Sequence, residues 1–134
     1  MNILILGSGI VGANLAKKLS EQGKNVYLID DNTNELNTLS EKFDIKTISE
    51  DPLDPQFYKN FKEDINYFIA VTKSDEKNIL SCKFAKDYLG VDKTIARIRN
   101  QNLINETSDI AVSYTHLRAH ETLMNLVCRL LLEK

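Results

Sequence analysis

Two features near the N-terminus carry residue types that could do chemistry. The first is Gly7-Ser8-Gly9-Ile10-Val11-Gly12, a G-x-G-x-x-G turn placed directly after the apolar run Ile3-Leu4-Ile5-Leu6. After a buried strand and at the start of a helix, the first glycine permits a tight turn. The second lets a pyrophosphate approach the backbone, and the third lets helix and strand pack closely. The helix start adds free N–H groups and a positive dipole end. The second feature is Asp30, 18 residues beyond Gly12 at the end of the apolar run Val26-Tyr27-Leu28-Ile29. A carboxylate there accepts hydrogen bonds from ribose hydroxyls and repels a 2′-phosphate, which favours NAD or an adenosine nucleotide over NADP. The plainer alternative is a helix-capping glycine loop beside a solvated acid.

Other candidates fall further along the chain. Arg97 and Arg99 flank Ile98. On a strand they share a face, and two guanidiniums there suit phosphate binding. The alternative is a solvent-facing pair with carboxylate partners. Asp75 and Glu76 fit a functional reading and equally fit capping and dipole partners at a helix start. Phe57, Tyr58 and Phe61 form an aromatic stripe at helical spacing, expected in the core rather than as a base-stacking platform. Cys82 sits at an apolar helical position and reads as a buried structural thiol rather than a nucleophile. The only histidines are His116 and His120, and no Ser-His-Asp order or metal-ligand cluster is evident. These absences shift the reading from catalysis toward nucleotide binding.

The elements that must position these residues alternate along the chain. Strands are expected at 3–6, 26–29, 45–48, 67–71 and 94–98, with a further one at 110–112. Helices are expected at 10–22, 33–42, 56–61 and 75–89. Repeated strand–helix–strand units with near-continuous apolar strands imply right-handed crossovers and a parallel sheet covered on both faces. The expected fold is α/β, a Rossmann-like doubly wound sheet of order 3-2-1-4-5 with the sixth strand beyond, its ligand at the switch point above Gly7 to Gly12. The length of 134 residues suits one domain. Seventeen Lys and Arg against 19 Asp and Glu leave a net charge of -2, with no general pull toward nucleic acid or an acidic membrane surface. No apolar run approaches the roughly 20 residues that span a bilayer. The start shows no basic n-region or cleavage site, so a cytoplasmic chain is expected.

Taken together, several segments resemble the N-terminal nucleotide-binding domain of Trk-type potassium uptake regulators, also called the KTN or RCK N-terminal domain. These are the glycine turn, Asp30, Ala70-Val71-Thr72 followed by Asp75-Glu76 and Asn78, and the stretch from Thr94 to Asn100. The resemblance covers about residues 1–112. It implies a non-enzymatic regulatory subunit that binds NAD(H) or an adenine nucleotide such as ATP or ADP. It further implies a dimer or ring that gates a potassium-translocating membrane subunit from the cytoplasmic side. Carried over by position, Gly7, Ser8, Gly9, Ile10, Val11 and Gly12 would surround the phosphates, and Asp30 would hold the adenosine ribose. Asp51 becomes a candidate adenine contact, although Glu50 and Pro52 stand where the family has glycine and alanine. Thr72 would line the pocket near the second half of the ligand, and Arg97 and Arg99 would supply cations. The competing reading is the N-terminal fragment of an NAD-dependent dehydrogenase.

The last segment departs from that pattern. Ser113 to Thr122 and Leu126 to Lys134 resemble translated sequencing-library adapter tails. The expectation is a natural domain over residues 1–112, cut from a longer protein and joined to a non-native tail at 113–134. His116, His120 and Cys128 would then carry no evolved function. The rival is an amphipathic helix, since Leu123, Leu126, Val127, Leu130 and Leu131 follow helical spacing.

Overall fold

The computed structural model describes residues 1–100 and the backbone of Val112 and Ser113. Six strands, β1 (Asn2–Leu6), β2 (Asn25–Asp30), β3 (Lys46–Ser49), β4 (Tyr67–Ala70), β5 (Lys93–Ala96) and β6 (Val112–Ser113), form one sheet. Its order is β3-β2-β1-β4-β5-β6, and each neighbouring pair is parallel. The expected doubly wound architecture is therefore present, with β1 in the middle. Of the tail expected at 113–134, Ser113 closes β6, and the rest, including His116, His120 and Cys128, lies outside the described residues.

The inner strands β2, β1, β4 and β5 are largely apolar because they are covered twice. On one face Ile3, Ile5, Val26, Leu28, Tyr67, Ile69 and Ile95 meet α1 (Ile10–Glu21) and α2 (Thr33–Lys42) through Leu15, Leu19 and Leu36. On the other, Leu4, Leu6, Tyr27, Ile29, Phe68 and Ala96 meet α3 (Pro55–Asn60) and α4 (Asp75–Phe84) through Tyr58 and Cys82. Alternate residues of each strand thus serve opposite cores, and every full burial of a Leu or Ile is worth about 1.5–3 kcal/mol. The aromatic stripe lies in this second core. Tyr58 is fully buried and packs edge-on to Phe68, and its hydroxyl donates to the Pro52 carbonyl at 2.7 Å. Cys82 is fully buried as well, and that burial pushes its thiol pKa up.

Two expected elements end two or more residues early. The fourth helix stops as an α-helix at Phe84, and Ala85–Leu89 continue as a π-helical turn. The fifth strand ends at Ala96 rather than 98. Arg97 N–H still bonds to the Ala70 carbonyl at 2.9 Å, but the Arg97 carbonyl accepts from the Asn78 side chain at 2.8 Å. A side chain of α4, and not a neighbouring strand, takes over at that point.

The N-terminal ends of the strands are held by asparagines. Asn2 N–H donates to Asn66 Oδ1 at 2.8 Å, while Asn66 N–H donates to the Asn2 carbonyl at 2.9 Å. Asn25 Nδ2 donates to Asn2 Oδ1 at 3.0 Å. Asn66 also accepts at its carbonyl from Asp92 N–H at 2.8 Å, just ahead of β5. Four neighbouring strands, β2, β1, β4 and β5, are linked across this end.

Candidate functional site

Because the strands are parallel, their C-terminal ends share one edge of the sheet. Gly7 to Gly9 follow β1, Asp30 closes β2, Glu50 and Asp51 follow β3, Thr72 follows β4, and Arg97 follows β5. Backbone bonds continue past the strands here: Gly7 N–H to the Ile29 carbonyl at 3.0 Å and Val71 N–H to the Leu6 carbonyl at 2.9 Å. The candidate residues therefore surround the point where β1 leads to β2 on one side and β4 on the other.

The three glycines of the turn have different physical reasons. Gly7 has φ +117°, a conformation that L side chains rarely adopt. A Cβ on Gly12 would lie 1.7 Å from the Gly7 carbonyl oxygen, so strand end and helix start touch there. A Cβ on Gly9 would meet nothing within 4 Å. Packing demands no glycine at that position; it leaves open space in front of the backbone.

Gly9 is also the N-cap of α1, which has no side-chain cap and no acid in its first turn. By contrast, Asn32, Asp54 and Ser74 each cap the helix that follows them. The leading N–H groups of an α-helix have no partner within it, and those of α1 receive no side-chain cap beside that space. Beside it, Ile10 is 83% exposed and Val11 is half-buried against the core. An anionic group such as a pyrophosphate fits this cradle by charge and by space.

Asp30 organises the turn. Its Oδ2 accepts from Ser8 N–H at 2.6 Å and the Ser8 hydroxyl at 2.8 Å, and its Oδ1 accepts from Asp31 N–H at 2.7 Å and Asn32 N–H at 3.2 Å. Burial pushes its pKa up. Hydrogen bonds from Asp31, Ser8 and Asn32 outweigh that and hold the carboxyl below its ordinary value. The neighbouring Asp31 carboxyl, bonded to Asp30 and repelled by its charge, is raised. The Ser8 hydroxyl lies 2.7 Å from Glu35 Oε2 as well. Glu35, in the first turn of α2, went unremarked in the sequence because an acid on a polar helix reads as a solvated face.

The remaining candidates are placed unevenly. Thr72 lies against the turn, its backbone nitrogen 3.4 Å from where a Gly7 Cβ would stand. Its hydroxyl is engaged by Asn78 at 2.6 Å. Asp51 is at the correct edge, but its carboxylate accepts Leu53 N–H at 2.9 Å, a local turn bond. Ile98 is buried between half-buried Arg97 and exposed Arg99, so the alternation expected of a strand persists beyond its end. Neither arginine pairs with a carboxylate among the described residues. Asp75 instead accepts the backbone N–H groups of Arg99 and Asn100 at 2.9 and 2.8 Å, a tether between α4 and the segment after β5. Among the described residues there is no cluster of metal-ligating side chains. No helix among them is long and apolar enough to cross a membrane.

The parallel sheet, the glycine turn and the acid ending β2 define a Rossmann-type α/β domain. The NAD(P)-binding domain of an exopolyphosphatase-related protein from Archaeoglobus fulgidus superposes with a TM-score of 0.75 at 19% identity, covering 98% of this chain and 94% of that one. The GsuK channel bound to NAD matches with a TM-score of 0.71 at 20% identity, over 83% of this chain and 20% of that one. Both likenesses show the fold. The TrkA-N domain model matches residues 3–116, and the chain belongs to that family. The Trk system potassium uptake protein TrkA of Haemophilus influenzae is 35% identical over 107 residues, which is 79% of this chain and 23% of that protein. The chain thus spans about a quarter of the length of this curated relative.

Proposed function

We propose that residues 1–112 form a regulatory, non-catalytic domain of a potassium uptake system that binds NAD(H) or an adenine nucleotide such as ATP or ADP. The observation that carries this reading is the open space before Gly9 at the uncapped start of α1, with Asp30 at its side. Family membership and a relative named as a potassium uptake protein support the role in transport. A fold likeness to a channel bound to NAD supports the ligand class.

In this reading, Gly7, Ser8, Gly9, Ile10, Val11 and Gly12 hold the phosphates, and Asp30 receives the adenosine ribose. Asp51 contacts the adenine edge, Thr72 lines the second half of the ligand, and Arg97 and Arg99 supply cations. The nucleotide acts through its differential affinity for two arrangements of a dimer or ring, and those arrangements gate a membrane subunit from the cytoplasmic side. The dehydrogenase-fragment reading has no comparable support, since the family and the named relative belong to potassium uptake.

Titration of the whole chain with NADH, NAD, ATP and ADP tests the proposal. Saturable binding of at least one, without turnover, is expected; no binding by any of them overturns it. In cells, deletion is expected to change potassium uptake.

A further inference from the structure

The four lone-pair positions of Asp30 are already matched by four donors: two backbone N–H groups at Oδ1, and the N–H and hydroxyl of Ser8 at Oδ2. A ribose hydroxyl can therefore bond to Asp30 only by displacing one of them. Three are backbone groups fixed by the turn and the start of α2. The fourth is the Ser8 hydroxyl, which rotates about one bond. It carries a single proton, yet it stands 2.8 Å from Asp30 Oδ2 and 2.7 Å from Glu35 Oε2. An ionised carboxylate only accepts, so the hydroxyl serves one of the two at a time. Glu35 is set in place by Asn32, which caps α2 by accepting the Glu35 N–H at 3.2 Å. It lines a groove with Ser8, Asn34, Thr38 and Leu39, beside the glycine turn.

The geometry points to Glu35 as a positioning residue for ribose recognition. It takes over the Ser8 hydroxyl when a ribose hydroxyl takes its place on Asp30 Oδ2. The inference rests on the reading of Asp30 as the ribose acceptor. Without Glu35, the hydroxyl of buried Ser8 would have to give up its bond when ribose arrives. A ligand with no hydroxyl on its adenosine ribose leaves Ser8 on Asp30 and makes no use of Glu35.

The test compares NAD with its analogue lacking both hydroxyls of the adenosine ribose, on the whole chain and on Glu35→Ala and Glu35→Gln. The unaltered chain should prefer NAD. Glu35→Ala should reduce that preference about tenfold or more, the worth of one hydrogen bond to a charged group, while leaving affinity for the analogue within about twofold. Glu35→Gln keeps an acceptor and should restore the preference. Equal weakening of both ligands by Glu35→Ala, or no effect on either, overturns the handover while the site reading stands. An unaltered chain that binds both ligands equally removes Asp30 as the ribose acceptor and the handover with it. Failure to bind either ligand overturns the NAD site itself. Glu35 is exposed, so the urea midpoint should hold in both variants and separates these outcomes from misfolding.

Discussion

Asn78 and Thr72 are joined by three hydrogen bonds: Thr72 N–H and its hydroxyl donate to Asn78 Oδ1 at 3.0 and 2.6 Å, and Asn78 Nδ2 donates to the Thr72 carbonyl at 3.0 Å. A fourth bond from Nδ2 reaches the Arg97 carbonyl at 2.8 Å. One fully buried amide thereby closes the ends of β4 and β5 against α4. Asn78→Ala would orphan several of these groups, each worth about 1–3 kcal/mol when left unsatisfied. The expected loss is about 3 kcal/mol or more, read from urea unfolding. Asn78→Asp should do no better, since it cannot donate. A loss below about 1 kcal/mol would show that water replaces the amide.

The glycine turn separates folding from binding. Gly12→Ala drives a Cβ into the Gly7 carbonyl and should lower the urea midpoint sharply. Gly9→Ala meets open space at φ -68°, so its cost should stay near the 1 kcal/mol or less of an N-cap change. It should nevertheless abolish or strongly weaken nucleotide binding in the same titration used for the unaltered chain. Undiminished affinity in Gly9→Ala would place the phosphates elsewhere.

Acid should loosen the site through Asp30. Its folded pKa is lowered despite burial, through the bonds from Asp31, Ser8 and Asn32. A depressed carboxyl contributes stability above its unfolded pKa, near pH 4, and that contribution disappears as pH falls through the folded value. Asp31 is shifted the other way and takes up its proton first. Comparing urea midpoints at pH 7 and pH 3, Asp30→Asn should show a smaller acid-induced drop than the unaltered chain. The same drop in both would remove Asp30 from the acid response.

Much of the frame was legible from local signals. Ile3 to Leu6 leading into Gly7, and Val26 to Ile29 leading into Asp30, are contiguous patterns whose period and punctuation encode strand and turn. What escaped depended on groups distant in the chain. The strand after Thr94 keeps its alternation through Ile98, but its ladder ends where Asn78, 19 residues earlier, claims a carbonyl. Asp75 reads equally as a helix-start acid or a functional one until the backbone of Arg99 and Asn100 is seen to lie on it. Glu35 gains meaning only from Ser8, 27 residues away.

The asparagine links at the N-terminal ends of the strands give the sheet an indexing rim opposite the rim that carries the glycine turn. A slip of one residue would exchange the two cores, since alternate side chains face opposite ways. Asn2, Asn25 and Asn66 hold that alignment at the end remote from the glycine turn. Turns on that other rim are thereby released from keeping register. A different acid at position 30, or a different loop after β3, can reshape it while the strands stay aligned.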